Sequence, residues 1–560
     1  MTREHEYPDI KRRQFIAMTG AVGGAAATAG CGGTPTTGTD APADGSTPSD
    51  GQQGGEFIDT RSEAANTLDP RTNELAWVSG MLPYVFDGLF IQSPDGSEMV
   101  PHLASEMPTE EDETTYTVPL REGVQFHDGE ELTAEDIAYT LNWILDPDNG
   151  SVRRQSIEFM DSVEVVDDHV VRVNLDNPYA LFEQALSEPI VAKSVAEDLG
   201  SEEFGRQPVG SGPFQFAEWE QSDHITLERF DDYFLQTPNL DAYTVRIIPE
   251  AQVQFVELAT GAVHQASVPH QLSGKAREED GIEMTAVDHF DYNGLIFNSL
   301  REPFDDVRVR EAMQYAVDYD ELLEATKGDL GSRAYGFMPK SVNEAWDFPW
   351  EEWDEEFFPE KDHEEARRLL EEAGYGDGFG RTIEIKSLSS EKFKPLAIIL
   401  QNQLQELGFE AEVQELTIGQ WIESLNTDTY DVNIYGWGGG EDPDGYYYFL
   451  FRDLRNDQGF DDEDWDGNSS AGMLHVASPD DEGLDRVDEI AREARTTLDR
   501  EQRREMYVEA AEILQSRYPH IQVFSEADLT AWSSSVQDYE LTSYSSQPLC
   551  NQWNNAWIDE

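Results

Sequence analysis

Residues 120–147 read LREGVQFHDGEELTAEDIAYTLNWILDP and combine a strand pattern with a helix pattern. Together with the preceding TYTVP, apolar and polar residues alternate up to a turn predicted at Asp128-Gly129, as in a strand that ends in a tight turn. Thr133 is positioned as a helix N-cap three residues before Asp136, and apolar residues follow at helical spacing. The segment therefore predicts a strand, a turn and a helix in succession.

The same mixture continues along the chain without a repeat period. DSVEVVDDHVVRVNL (161–175) predicts a hairpin that turns at Asp167-Asp168. DDVRVREAMQYAVDYDELLEAT (305–326) and HEEARRLLEEAGYGDGFG (363–380) predict amphipathic helices, the second ended by Gly374. FKPLAIILQNQLQELGFEAEVQEL (393–416) predicts a helix that ends at Gly408 and then a strand. An α/β architecture of several lobes follows, since 560 residues exceed what one core holds.

Charge is the unusual property of the composition. The chain has 38 Lys and Arg against 114 Asp and Glu, a formal net charge of −76. This excess of negative charge repels nucleic acid. In dilute buffer it also destabilises the folded state, because the acidic side chains repel one another. At molar salt the Debye length is about 3 Å, so we interpret the composition as adaptation to a salty medium. A cation-binding surface is the alternative interpretation.

One acidic loop partly matches a calcium-binding pattern. Asp462, Asp464, Asp466 and Gly467 fit the first half of a calcium loop, but its twelfth position is Met473 rather than Glu. An acidic surface loop is the favoured interpretation.

The N-terminus has the features of an export signal. KRRQFIAMTGAVGGAAATAGCGG (11–33) joins a basic start to an apolar run that is too short to span a bilayer. Arg12 and Arg13, followed by Phe15, resemble the twin-arginine motif, and TAGC resembles a lipobox with lipid on Cys31. The alternative is an ordinary signal with an incidental cysteine. We expect a signal peptide at 1–30 and a flexible Gly/Thr/Pro/Ser tether at 31–55.

Cys550 is the only other cysteine, so no disulfide framework is expected. With Cys31 lipidated, Cys550 is predicted to be a small buried apolar residue.

Several segments, in order, resemble one family. They are NTLDP, YVFDGLF, the 120–147 segment, VGSGPFQFAEW, IFNSLREPFDDVRVREAMQYAVDYDEL, EEARRLLEEAGY and YVEAAEILQSRYPHIQVF. Nearly the whole mature chain is similar to the extracytoplasmic solute-binding proteins of ABC importers for peptides and nickel. The resemblance implies an α/β, class II periplasmic-binding-protein-like fold with two jaws and an extra inserted lobe. The expected lobes are I (56–92, 207–285 and 520–560), II (93–206) and III (286–519).

The resemblance also implies a site in the segment GWGGGEDPDGYYYF, residues 436–449. Peptide-binding relatives have Trp-x-x-Asp-Tyr-x-x-Pro in the cleft, where the Asp pairs with the ammonium of the peptide. Trp437 matches this pattern, but Gly440 stands at the Asp position. Glu441 and Asp442 are the nearest acids, and we expect one of them to meet an amine, because a buried carboxylate requires a cation or several donors.

Aromatic residues offer a second way to hold a ligand. Trp421, Trp437 and Tyr446 could stack on sugar rings, and glycines would let a bulky ligand approach the backbone. The alternative for the YYYFLF run is a helix packed on its own lobe. On the facing jaw, Glu74 falls where peptide-binding relatives place a contacting acid, and Trp77 follows it.

Patterns of covalent chemistry do not appear in the sequence. There is no G-x-S-x-G elbow and no HxxxH spacing, and His127-Asp128 is read as a strand-end turn. We expect no catalytic residues, metal site or cofactor. The expected function is peptide capture by hinge closure and delivery to ABC permease subunits, by a monomer lipid-anchored at the outer face of the membrane. An oligosaccharide or nickel chelate is the alternative solute, and a secreted hydrolase is a third hypothesis.

Overall fold

The segment 120–147 folds as its pattern predicts. Helix Ala134–Leu145 begins after Thr133, whose side chain and that of Asp136 form a reciprocal capping box. Gly129 adopts a left-handed φ of +88° in the predicted turn. A ring nitrogen of His127 lies 3.0 Å from the carbonyl oxygen of Gly212, so this histidine connects the turn to the segment that precedes β8.

The computed structural model describes residues 54–268, 270–326, 331–390, 393–427, 429–452, 482–544 and 547–559. These residues belong to one compact unit that starts at Ser49. Arg12, Arg13, Cys31 and the acidic loop 462–473 lie outside the described residues, as do the predicted signal peptide and most of the tether. Within the described part, no helix is both long enough and apolar enough for a bilayer crossing.

Strands and helices alternate along the chain. The strands are β1 Glu56–Arg61, β2 Phe90–Gln92, β3 Met99–Pro101, β4 Thr109–Asp112, β5 Thr115–Pro119, β6 Met160–Asp167, β7 Val170–Leu175, β8 Phe214–Glu220, β9 His224–Arg229, β10 Ala242–Ile247, β11 Gln265–Ser267, β12 Ile282–Asp288, β13 Asp291–Phe297, β14 Gly331–Ser332, β15 Ile383–Leu388, β16 Ala411–Leu416, β17 Val432–Gly438, β18 His520–Ser533, β19 Val536–Gln537 and β20 Trp557–Ile558. The helices are α1 Ala76–Met81, α2 Ala134–Leu145, α3 Arg154–Ile157, α4 Phe182–Ala185, α5 Lys193–Phe204, α6 Ala251–Ala259, α7 His270–Arg277, α8 Val307–Ala316, α9 Tyr319–Thr326, α10 Lys340–Ala345, α11 Trp350–Phe357, α12 His363–Glu372, α13 Lys394–Glu406, α14 Ile418–Asn426, α15 Asp444–Phe451, α16 Glu482–Thr496 and α17 Arg500–Gln515.

The first sheet joins distant parts of the chain. Its order is β1-β10-β9-β8, with β1 parallel to β10 and the other pairs antiparallel. The core beside it includes residues from the C-terminal end, among them Leu549, Cys550 and Ala556. Cys550 is fully buried there, which confirms its predicted role as a small core residue.

The second sheet is a local antiparallel one of order β4-β5-β7-β6. It contains the predicted hairpin of β6 and β7, but the turn is at Asp168-His169, one residue later than predicted, because Asp167 still pairs with Val170. Helix α2 packs on β6, and the apolar residues of α2 join those of the sheet in one core. This sheet falls within residues 109–175, inside the predicted lobe II.

The third sheet is the largest. Its main order is β11-β18-β13-β17-β15-β16, and β12 and β14 also pair with β18. Alternate residues of its strands face opposite sides, so Ile296 and Tyr435 join one apolar core while Leu295 and Ile434 join another. Helices cover both faces, which is why the central strands are almost entirely buried.

Strand β18 is shared between the predicted lobes I and III. Its residues His520–Phe524 pair with β13, and residues Ala527–Ser533 pair with β12. Each of the three sheets lies mainly in one predicted lobe, and the lobe boundaries themselves stay predictions.

The single helix predicted over 305–326 is wrong, because the structure has two helices there. Val317 is extended (φ −94°, ψ 147°) and ends α8. The Asp318 carboxylate accepts the backbone N–H of Glu321 at 2.9 Å, so it starts α9 as a new helix. The helices predicted to end near Gly374 and Gly408 do so, at Glu372 and Glu406.

Candidate functional site

The glycine-rich segment connects the end of β17 to the start of α15. Gly439 and Gly445 lie so close that a Cβ on Gly445 would overlap the carbonyl oxygen of Gly439. Gly440 adopts a left-handed φ of +80°, which glycine tolerates at no steric cost. These glycines close a tight turn, and the turn places the two acids that follow it at the start of the helix.

Asp442 is fully engaged within the protein. Its carboxylate receives two hydrogen bonds from the Arg503 guanidinium, at 2.6 and 3.0 Å, and both side chains are at least 89% buried. One of its oxygens also accepts the backbone N–H of Asp444 at 2.9 Å. Burial alone would lower the pKa of Arg503, but the charge of Asp442 holds that pKa above its ordinary value. Asp442 is therefore the buried anchor of Arg503.

Glu441 has a different environment. Its carboxylate accepts one hydrogen bond from Gln184 Nε2 at 3.3 Å, and no ion pair to it occurs in the part of the chain that the structure describes. Burial, together with the negative charge of Asp442, raises the pKa of Glu441 to about 7. A buried carboxylate without a cationic partner favours binding of a cation, because the positive charge would compensate for the loss of hydration.

Three adjacent cavities share Glu441 and Gln184 in their walls. Their volumes are about 290, 530 and 330 Å³. Together they have the size range of sites that hold small organic ligands. Other lining residues are Met99, Trp346 and Arg500 in the first cavity, Arg153, Tyr179 and Arg495 in the second, and Phe86, His102 and Tyr544 in the third.

The two walls of this cavity region touch each other directly. On one side, the backbone N–H of Ala180 donates to the carbonyl oxygen of Arg495 at 2.8 Å, and Arg495 Nη2 donates to Tyr179 Oη at 3.4 Å. On the other side, Arg500 Nη1 donates to the carbonyl oxygen of Ser97 at 2.7 Å. The first two cavities consequently lie mainly between parts of the chain that belong to the predicted lobes II and III, and the third is also lined by residues of the predicted lobe I.

The three aromatic residues predicted to contact ligand have structural partners instead. Trp421 Nε1 donates to Asn433 Oδ1 at 2.7 Å, and Trp437 Nε1 donates to the carbonyl oxygen of Gly445 at 2.9 Å. Tyr446 is fully buried, and its hydroxyl donates to the carbonyl oxygen of Gly440 or of Phe290. None of the three lines the cavities described above, so their placement does not support ring stacking on a ligand.

Glu74 precedes helix α1, and Trp77 lies in its first turn. Glu74 is exposed, and Trp77 packs partly buried against the core of the first sheet. Neither lines any of the three cavities. Of the predicted ligand residues, the structure brings Gly440, Glu441 and Asp442 together at the cavity wall.

Gln184 and Arg503 were missed by sequence reasoning. Gln184 lies 257 residues before Glu441, and Arg503 lies 61 residues after Asp442. No local spacing pattern connects such positions. The one indication of such a partner in the sequence is that Glu441 and Asp442 are adjacent acids. Burial of both would require at least one cation nearby.

The chain matches known proteins over most of its length. A family model described as bacterial extracellular solute-binding proteins, family 5 (middle region), matches residues 98–458. The glutathione-binding protein GsiB of Pectobacterium atrosepticum is 30% identical over 381 residues, covering 66% of this chain and 72% of that protein.

Two further relatives have solved structures. The oligopeptide-binding protein AppA of Bacillus subtilis is 31% identical over 355 residues, 60% of this chain and 64% of AppA. Its structure with a nonapeptide aligns with a TM-score of 0.66 and 23% identity, over 91% of this chain and all of that one. NikZ of Campylobacter jejuni, in complex with Ni(L-His), aligns with a TM-score of 0.68 and 22% identity, over 90% and 99% of the two chains.

Proposed function

The chain belongs to family 5 of the bacterial extracellular solute-binding proteins, and on that basis we propose that it captures a peptide through its free amino terminus for an ABC importer. The bound ligand would lie in the cavities around Glu441. Delivery would follow by docking of the closed form on the permease subunits. Relatives that bind an oligopeptide and glutathione support a peptide as the solute class.

The contrast between Glu441 and Asp442 carries this proposal. Asp442 already holds Arg503, so a ligand amine would have to displace a buried bidentate ion pair to reach it. Glu441 faces the cavities and, among the residues that the structure describes, accepts a hydrogen bond only from the Gln184 amide, so an ammonium group gains a full charge partner there. Glu441 is therefore the acid that we assign to the amine.

Capture would work by closure of the cavity walls. A ligand drives closure only to the extent that it binds the closed state more tightly than the open one. Contacts such as Ala180 to Arg495 join the two walls, and a ligand held by Glu441 on one wall and by Gln184 on the other would favour the same state. We propose binding and presentation as the whole mechanism, without covalent chemistry.

A nickel chelate is the second candidate solute. The solved relative with Ni(L-His) supports it at the level of fold, and Glu441 could meet the amino group of a chelating amino acid as well as that of a peptide. An oligosaccharide has less support, because Trp421, Trp437 and Tyr446 do not line the cavities.

The proposal is tested by the pH dependence of peptide affinity. The pKa of Glu441 is about 7, so its carboxylate gains a proton below that pH and loses its attraction for an ammonium. We expect the affinity for di- to pentapeptides to fall about tenfold per pH unit below 7, to be highest between about pH 7 and 8, and to fall again as the peptide amine loses its proton. Calorimetry of the mature chain in high salt measures this. The N-acetylated peptide is the control, with weak binding and a flat pH profile. Equal affinity for the free and acetylated peptides would contradict the assignment.

We further propose that lipid on Cys31 anchors the protein after export through the twin-arginine route. Cys31→Ser removes the only thiol that the lipobox-like segment offers. We expect the variant to move from the membrane fraction to the medium, measured by fractionation and immunoblotting. Lys replacement of Arg12 and Arg13 is the comparison, and it should instead retain the protein inside the cell. Continued tight membrane association of Cys31→Ser would refute the anchor.

The acidic surface is proposed to be an adaptation to salt. With a net charge of −76, self-repulsion grows as screening weakens. We expect the midpoint of thermal unfolding to fall when salt is lowered from about 3 M to below about 0.5 M. An unchanged midpoint in dilute buffer would count against this proposal.

A further inference from the structure

A second cluster of charged side chains lies where β18 changes its pairing partner. His289 lies between β12 and β13, Asp291 begins β13, and Glu526 lies in the middle of β18. One donor atom from each of the three residues lies within 4.8 Å of the other two. None of these residues lines the three cavities around Glu441.

The donor set has the chemistry of a transition-metal site. An imidazole nitrogen and two carboxylate oxygens suit Zn²⁺, Co²⁺, Ni²⁺ or Mn²⁺, at bond lengths of about 2.0–2.2 Å. Donors bound to one ion at such lengths are separated by about 3–4 Å, so the observed cluster needs only a small contraction. Glu526 is 92% buried, and a buried carboxylate gains much from a divalent cation.

Outer contacts orient the donors. His289 Nε2 lies 3.1 Å from Asp528 Oδ2, and a cation bound at Nδ1 would leave this contact intact. This is the carboxylate–histidine arrangement that supports metal-bound imidazoles in proteins. Asp291 is held through one oxygen by the N–H of Glu526 and through the other by Asn293 Nδ2, both at 3.1 Å.

We propose that His289, Asp291 and Glu526 bind one divalent transition-metal cation at this crossing of strands. The cation joins β18 to the β12–β13 connection, where the first and third lobes share a strand. Asp291 is in register with Gly438, three residues before Glu441, and the neighbouring Phe290 carbonyl oxygen accepts the N–H of Gly439. Metal at this place therefore stiffens the strand that presents the candidate ligand acid.

The chain contains its own control for non-specific binding. Glu220, Asp223 and His224 also form a cluster of one histidine and two carboxylates, but both of its acids are exposed at a hairpin turn. An acidic surface would bind cations at both clusters. A specific metal site would bind the cation at the His289 cluster alone.

Calorimetric titration with ZnCl₂ in chelator-free buffer at molar NaCl tests the proposal on the mature chain. We expect one ion per chain, and a loss of affinity of at least 30-fold in His289→Gln and in Asp291→Asn. Asp528→Asn keeps all three donors and should lose about 10- to 100-fold in zinc affinity, because the outer contact to His289 is weakened. His224→Gln should bind as the unchanged protein does.

Circular dichroism shows which variants fold. Asp528 is 69% exposed, so its variant keeps the test decisive even where a substitution at Asp291 or His289 disturbs folding. Absence of a one-ion isotherm in the unchanged protein overturns the proposal. Unaltered zinc affinity in Asp528→Asn or in either folded donor variant overturns it as well, and so does loss of the isotherm in His224→Gln.

Discussion

Glu441→Gln is expected to weaken binding of a free-amine peptide by about 30- to 1,000-fold, because truncating one partner of a buried charge pair costs about 2–4 kcal/mol. The amide keeps the size of the side chain and its contact with Gln184, but it carries no charge for the ammonium. Calorimetry in high salt at about pH 7.5 measures the loss, since most of Glu441 is ionised there and most of the peptide amine still carries its proton.

The same substitution should leave the fold intact. Burial raises the pKa of Glu441 above its ordinary value, so the ionised side chain disfavours the ligand-free folded state as pH rises from about 4.5 to about 7. Glu441→Gln removes this cost, and we expect its unfolding midpoint at pH 8 to equal or exceed that of the unchanged protein. Asp442→Asn is the matched comparison at the next position, with lost stability as its main effect. Undiminished peptide affinity in Glu441→Gln would refute the amine assignment.

Arg503→Met is expected to destabilise the protein by about 3–5 kcal/mol, because it leaves the Asp442 carboxylate buried without its cation. The methionine preserves much of the apolar stem of the arginine, so the loss reports mainly on charge. Denaturant unfolding in high salt measures the free energy of unfolding.

Two variants make this measurement interpretable. Arg500→Met removes an exposed arginine from the first turn of the same helix; because its hydrogen bonds go to carbonyl oxygens and leave no buried charge behind, it should cost less, about 1–2 kcal/mol. The double variant Arg503→Met with Asp442→Asn should recover part of the loss, since the uncompensated charge is gone. Equal stability of Arg503→Met and Arg500→Met would contradict a buried ion pair as the anchor of the turn.

Local patterns predicted the elements better than the site. The capping box at Thr133 and the helix ends near Gly374 and Gly408 depend on neighbours within a few residues, and those are visible in the sequence. The break at Val317 was missed because Asp318 is as compatible with a helix interior as with a new N-cap until its hydrogen bond is seen.

The choice between Glu441 and Asp442 could not be made from the sequence. Both acids are adjacent and equally compatible with an amine, and what separates them is the distant guanidinium of Arg503. The surroundings of the aromatic residues were hidden for a related reason. Trp437 and Tyr446 are close to Glu441 and Asp442 in the sequence, but their polar atoms donate hydrogen bonds to the backbone of the glycine turn. They therefore stabilise the turn.

Strand β18 also determines when the molecule can finish folding during its synthesis. Residues 520–533 complete the third sheet, and Leu549 to Ala556 complete the core of the first. At about 5–20 residues per second, a ribosome needs roughly half a minute to two minutes to produce the 560 residues. During almost all of that time the first sheet lacks part of its core and the third sheet lacks a strand. Both sheets can therefore reach their final packing only after these late residues have been synthesised.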